Sequence, residues 1–203
     1  MVKVNDQKKS ERVKQYFAEI TRQIILEEGE EAVSIRKVAE KAGYSFATIY
    51  NHFDNLDEML WYARNLLIKD VADHLEVSFK GPVESVADLK KLFHAYAKYY
   101  LDHPAVFRFF YFRSLDKSQK KSPSLVETEE YRGQFAQGFE FLIRAGYCSP
   151  EKVGSVGKAL IYVIQGILSL QFAENDAIRS DDVFQEIDTS MDILLEGLIK
   201  PES

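Results

Sequence analysis

Residues 34–53, SIRKVAEKAGYSFATIYNHF, decide how the chain is to be read. They give two short helical segments joined by a tight turn. Val38, Ala39 and Ala42 recur at helical spacing on the first segment, and Ile49 and Phe53 do so on the second. Ser34 and Ser45 stand where each helix would begin, so their hydroxyls can accept one of the first free backbone N–H groups. Gly43 lies between them. Without a Cβ it can take the left-handed conformation that stops the first helix and turns the chain. Short helix, glycine turn, short helix is a helix-turn-helix, whose second helix is the usual reader of the DNA major groove.

Working outward, only helix gives strong signals. Upstream, Val13, Phe17, Ile20 and Ile24 form an apolar stripe that ends near Gly29. Downstream, Asp54 or Asn55 can cap a long helix beginning at LDEML, and Asn55 with Glu58 has the spacing of a capping box. Gly81 and Pro82 end that helix. Another runs from about Ser85 to Asp102, Pro104 restarts the chain into AVFRFFYF, and DKSQKKSPS at 116–124 reads as a mobile loop. Helices are expected at roughly 124–145, 150–174 and 181–199. No stretch alternates cleanly enough for a strand. The expected fold is all-α, with a three-helix DNA-binding domain over residues 1–54 and a larger helical domain over residues 55–203.

Composition narrows the function classes. The chain has 203 residues, 46% hydrophobic and 29% charged, with ample material for a core. Its N-terminus, MVKVNDQKKSER, lacks an apolar secretory stretch. Its most apolar run, Ala159–Ala173, is interrupted by Gln165, Ser169 and Gln171, which argues against a membrane span. The single cysteine, Cys148, allows no internal disulfide and no zinc-ligand spacing. The expected compartment is the cytoplasm. The net charge of −6 is unevenly placed: residues 1–53 carry 9 Lys and Arg against 8 Asp and Glu, whereas residues 54–203 carry 17 against 24. Residues 1–22 alone hold six basic side chains against three acidic, followed by EEGEE at 27–31. A basic arm and first helix suit phosphates, and an acidic body would be held away from them.

Nothing points to catalysis. His52, His74, His94 and His103 are scattered, no G-x-S-x-G occurs, and GSVGKA at 154–159 has neither the spacing nor the Ser/Thr of a phosphate loop. Asp70 and His74, four apart, read as an ion pair rather than a metal site. No catalytic residue, metal or cofactor is expected, and the chain is not read as an enzyme.

The block from Ile24 to Leu60 resembles the DNA-binding domain of the TetR family of bacterial transcriptional regulators. The resemblance rests on an apolar residue, Ser and then Arg within 33–36, Ala-x-x-Ala-Gly at 39–43, Thr-Ile-Tyr at 48–50, Phe53, and a polar turn before Glu58 and Leu60. It implies that Ser34, Arg36, Thr48, Tyr50 and His52 lie at or near DNA. Physical reasons run beside it. Ser34 and Ser45 place helix N-termini toward phosphates, Tyr50 offers a rigid hydroxyl, and Arg36 suits a phosphate or a guanine edge. Thr48, with Phe46, Ala47 and Asn51, would face the bases, and its methyl, Phe46 and Ala47 suit thymine methyl groups. Many family members have a Lys where helix 4 begins, and this chain has Leu56. FATIYNH also lacks Lys and Arg, so affinity must lean on Arg36, helix ends and the N-terminal arm.

Nine of the 26 aromatic residues fall between Phe93 and Phe112. By the resemblance, an apolar or aromatic effector would bind near Trp61, Tyr96, Tyr100, Phe107, Phe110, Phe139, Tyr162 and Gln165. The last two helices carry apolar stripes, including Val156, Leu160, Val163 and Ile167, then Phe184, Ile187, Met191 and Leu195, with Gly154, Gly157 and Gly166 allowing close approach. The resemblance implies a homodimer built on these stripes, presenting two recognition helices to a palindromic double-stranded operator. The whole then reads as a ligand-responsive repressor. Two alternatives are a helical regulator that binds DNA without a small-molecule effector, and a helical interaction protein.

Overall fold

A computed structural model describes residues 2–116, 118, 129–173 and 179–198. Among the described residues every regular element is helical: α1 Val2–Glu28, a 3-10 turn Glu30–Ala32, α2 Ile35–Ala42, α3 Phe46–Tyr50, α4 Leu56–Ser78, α5 Val86–Asp102, α6 Pro104–Tyr111, α7 Glu129–Arg144, α8 Val153–Ala173 and α9 Ser180–Glu196. The all-α expectation holds. Of the loop expected at 116–124, only residues 116 and 118 are described; the start of the helix expected at 124 and the end of the one expected at 199 also lie outside the described residues.

Packing divides the chain into two compact units, and the boundary is not a single cut after residue 54. The first unit holds the described residues through Asp70 together with those from His103 to Ser118; the second holds Val71–Asp102 and the described residues from Glu129 onward. The reason is local. α4 runs unbroken through the expected boundary, and α6 packs against α1 and the 3-10 turn.

Within the first unit the core is Phe17, Ile24, Ile25, Val38, Ile49, Phe53, Met59 and Leu60, each at most 1% exposed. Gly29 at φ 88° and Gly43 at φ 70° take the left-handed turns that end α1 and α2. The α4 cap forms with one displacement: Glu58 N–H donates to Asn55 Oδ1 (2.9 Å), but Glu58 Oε2 accepts from Asp54 N–H (2.8 Å) rather than from Asn55.

Within the second unit, α5 and α8 pack on α9, and α7 packs on α8. Lys90–Asp192 and His94–Asp188 (2.8 Å) tie α5 to α9, with Phe184 stacked on His94 at 4.6 Å. α8 is long and apolar enough to cross a membrane by composition, yet Leu160, Ile161, Ile164 and Leu168 are buried in this unit. Gly157 is where the Phe139 ring of α7 lies against α8, whereas Gly154 and Gly166 face open space. Cys148 is half-buried, and burial pushes its thiol up, away from the reactive thiolate.

Candidate nucleic-acid interface

α2 and α3 each bury one face and leave the other in solvent. Ser34 Oγ accepts from Lys37 N–H and Ser45 Oγ from Thr48 N–H, both at 3.2 Å, so both serines cap as expected. Such caps stabilise a helix by about 1 kcal/mol each. Ile35, Val38, Ala39 and Ala42 of α2 and Ile49 of α3 point inward. Arg36, Phe46, Ala47, Tyr50 and Asn51 are exposed, as are the two capping serines; Thr48 and His52 are half-buried.

The sequence-derived set is therefore brought together, with differences of role. Thr48 Oγ1 is 2.7 Å from Ser45 Oγ, so its hydroxyl is engaged locally. Tyr50 is 49% exposed and meets Phe46 edge-on at 5.0 Å, so it is a surface aromatic rather than an interhelical brace. His52 has a structural engagement that residue type does not announce: its Nδ1 is 3.2 Å from Ser10 Oγ of α1, and its ring packs on Phe17.

The charge picture needs correction. α1 is continuous helix from Val2, so the residues expected to form a basic arm belong to that helix. Lys14, counted among the basic side chains available to phosphate, turns inward. Its Nζ is 2.9 Å from Glu58 Oε1 and lies over the Phe53 and Tyr62 rings at 5.1 and 5.2 Å, and Glu58 is 1% exposed. Arg22 donates to Asp70 (2.8 Å). Lys37 pairs with Glu28, and Lys41 with Glu27 (3.0 Å) and Glu28 (3.3 Å). The Gln23 amide and then Lys41 hold the Glu27 carboxyl below the ordinary range, and Lys37 does the same for Glu28. These exposed pairs add little to stability, but they neutralise α2 lysines. Among the described side chains of residues 10–53, Arg12 and Arg36 are the cations without an ion pair. Counting charges along the sequence could not separate them from the rest, because pairing is three-dimensional.

The expected effector residues are drawn from both units. Trp61, Phe107 and Phe110 belong to the first unit; Tyr96, Tyr100, Phe139, Tyr162 and Gln165 belong to the second. Tyr96 and Tyr100 are fully buried, 5.1 Å apart, with Phe135 beside Tyr96 at 5.8 Å. Tyr162 is 65% exposed and is withdrawn from an interior pocket, because it sits on the outward face of α8.

The expected dimer stripe is corrected in the same way. Leu160, Ile187, Met191 and Leu195 are at most 2% exposed inside one chain, so none of them is a partner-facing side chain. Val156, Val163 and Phe184 are half-buried. The outward apolar residues are Tyr162 and Leu170 of α8 and Ile193 of α9, each about two-thirds exposed (65%, 68% and 66%). On α8 and α9, Ile167 lines a groove of about 430 Å³ with Asp182, Gln185, Glu186, Thr189 and Ser190. No cluster of His, Cys, Asp and Glu able to hold a metal occurs among the described residues.

Comparison with known proteins bears on the same segment. Residues 19–62 match the family described as bacterial regulatory proteins, tetR family. The HTH-type transcriptional regulator PksA of Bacillus subtilis (strain 168) is 35% identical over 66 residues, and that match takes in about a third of each chain, 32% of both. The TetR family transcriptional regulator PfmR of Thermus thermophilus superposes with a TM-score of 0.59 at 20% identity, over 91% of this chain and 99% of that one. A transcriptional regulator from Rhodococcus sp. Rha1 does so at 0.61 and 18%, over 93% and 99%. At those identities the structural likeness concerns the fold.

Proposed function

We propose that the chain is a transcriptional regulator of the tetR family, whose description fits residues 19–62, and that it acts as a cytoplasmic, homodimeric repressor of a palindromic operator. The observation that carries this reading is the two-faced packing of α2 and α3. Val38, Ala39, Ala42, Ile49 and Phe53 are taken up by the core, which leaves Arg36, Phe46, Ala47, Tyr50 and Asn51 turned to solvent on the helix-turn-helix. Arg36 supplies a free guanidinium for phosphate or a guanine edge, Tyr50 a hydroxyl, and Phe46, Ala47 and the Thr48 methyl an apolar surface for thymine methyl groups.

Tyr162, Leu170 and Ile193 are the large apolar side chains that α8 and α9 leave exposed, and they support self-association through these two helices. A two-fold dimer presents two recognition helices to half-sites one helical turn, or a multiple of it, apart. A small apolar or aromatic effector held among the helices of the second unit, against residues such as Tyr96 and Tyr100, would release the operator. If it binds better when the recognition helices are mis-spaced, it weakens DNA binding by the same coupling free energy. The close contact of Tyr96, Tyr100 and Phe135 supports the second reading, a regulator that binds DNA without an effector, because rings already packed on one another need no guest.

Selection of bound sequences from random duplexes at low ionic strength tests the reading, with light scattering on the same sample. A palindrome containing T-rich steps and a dimeric mass are expected. Recovery of no consensus, or a monomer at micromolar concentration, would remove it. Mass spectrometry of small molecules that co-purify separates the two readings.

A further inference from the structure

The segment leaving α6 reaches both flanks of the helix-turn-helix inside the first unit. At one flank, Arg113 Nη1 donates to the Glu30 carbonyl (3.4 Å), in the 3-10 turn that precedes α2. The Arg113 Nε is buried and makes no hydrogen bond, so packing and that single carbonyl hold the guanidinium. At the other flank, just after α3, Asp116 N–H donates to Asp57 Oδ2 (2.8 Å), and Trp61 Nε1–H donates to the Asp116 carbonyl (2.9 Å). Asp57 and Trp61 lie in the first two turns of α4. The Asp116 side chain accepts from Ser118 N–H (2.9 Å), a local turn that helps fix the peptide so that its N–H and its C=O both meet α4.

A layered stack underlies these bonds. The Arg64 guanidinium lies 5.6 Å from the Trp61 ring and 4.6 Å from the Phe110 ring of α6, while Trp61 itself is 9% exposed. Cation–π contacts of this kind, partly withdrawn from water, hold α4 and α6 together.

We infer that residues 113–116 form a strap that ties the element before α2 to the element after α3, and that Asp57, Trp61 and Arg113 are positioning residues for DNA binding. The inference rests on the reading that this helix-turn-helix binds DNA. A tie at both flanks limits the orientations in which α2 and α3 are presented. Cutting it widens that range, so binding must impose more order, and affinity falls although no phosphate contact is lost.

Full-length protein is titrated onto the selected duplex as wild type, Asp57→Ala, Asp57→Asn and Trp61→Phe. Asp57→Ala removes the acceptor for the Asp116 N–H and is expected to raise Kd about tenfold, with the slope of log K against log salt unchanged. Asp57→Asn keeps an acceptor oxygen and should stay within about twofold of wild type, and Trp61→Phe, which removes the indole N–H donor together with part of the ring that packs on Arg64, should weaken binding about three- to fivefold. Emission from Trp61, the only tryptophan, should shift to the red in Asp57→Ala as the strap leaves it. Unchanged affinity in Asp57→Ala, an equal loss in Asp57→Asn, or a smaller salt slope would overturn the strap. Wild-type protein that bound no duplex would instead overturn the DNA-binding reading, and the Trp61 shift would then decide the strap alone.

Discussion

Gly157→Ala and Gly166→Ala are the same substitution on the same helix, and they should move stability in opposite directions. A Cβ at Gly157 would stand 2.4 Å from Phe139 Cε1 and 2.5 Å from Cζ, closer than real atoms approach, and the aromatic ring cannot fold away as a lysine tip could. Overpacking of that kind costs about 1–3 kcal/mol, partly offset by the roughly 1 kcal/mol that alanine gains over glycine in a helix. The expected net for Gly157→Ala is a loss of up to about 2 kcal/mol. A Cβ at Gly166 meets nothing within 4 Å, so Gly166→Ala keeps the whole helical gain of about 1 kcal/mol. For a chain this long each kcal/mol moves Tm by about 2–4 °C, which separates the variants clearly in calorimetry at one fixed protein concentration. Adding Phe139→Leu to Gly157→Ala should recover part of the loss. Equal stabilisation by both substitutions would refute the α7–α8 contact. Destabilisation by Gly166→Ala that disappears on dilution would place Gly166 against a second copy.

The other predictions concern charge and surface. Lys14→Met leaves the Glu58 carboxylate buried without its cation, so urea denaturation should show a loss of about 3–5 kcal/mol. The Ser118 N–H holds the Asp116 carboxyl below the ordinary aspartate range. A lowered folded-state value means that its contribution is present above the unfolded value, about 3.9, and is lost as pH falls through the folded one. Trp61 emission should therefore be flat from neutral pH to about pH 5 and begin to change only below about pH 4. Tyr162→Asp combined with Ile193→Asp adds charge to the outward face of α8 and α9; light scattering should report a shift toward monomer with little change in the helical circular dichroism of the isolated chain.

Helix positions, both serine caps and the two-sided packing of α2 and α3 were legible in the sequence, because periodicity and caps are local properties. Pairing was not legible. Lys14 and Arg12 look alike along the chain, yet one is turned onto Glu58 and the other stays free, a difference decided by residues more than forty positions away. The α8 and α9 stripes misled for a related reason: an apolar face wide enough for two neighbours does not say which of them is in the same chain. Leu160 and Met191 went inward, and Tyr162 and Ile193 outward. The strap lay beyond reach, since its bonds run through the backbone of Asp116 and leave no mark on residue type.

Fluorescence anisotropy of the selected duplex, titrated with wild-type and Arg36→Ala protein across a range of salt concentrations, tests the central claim most directly. Wild type should bind with a steep salt dependence. Arg36→Ala should bind at least about tenfold more weakly, with a slope smaller by about 1.8, because two protomers each lose one phosphate contact worth about 0.9. Protein that ignores every duplex at low ionic strength, or an Arg36→Ala curve that overlays the wild-type one, would contradict it.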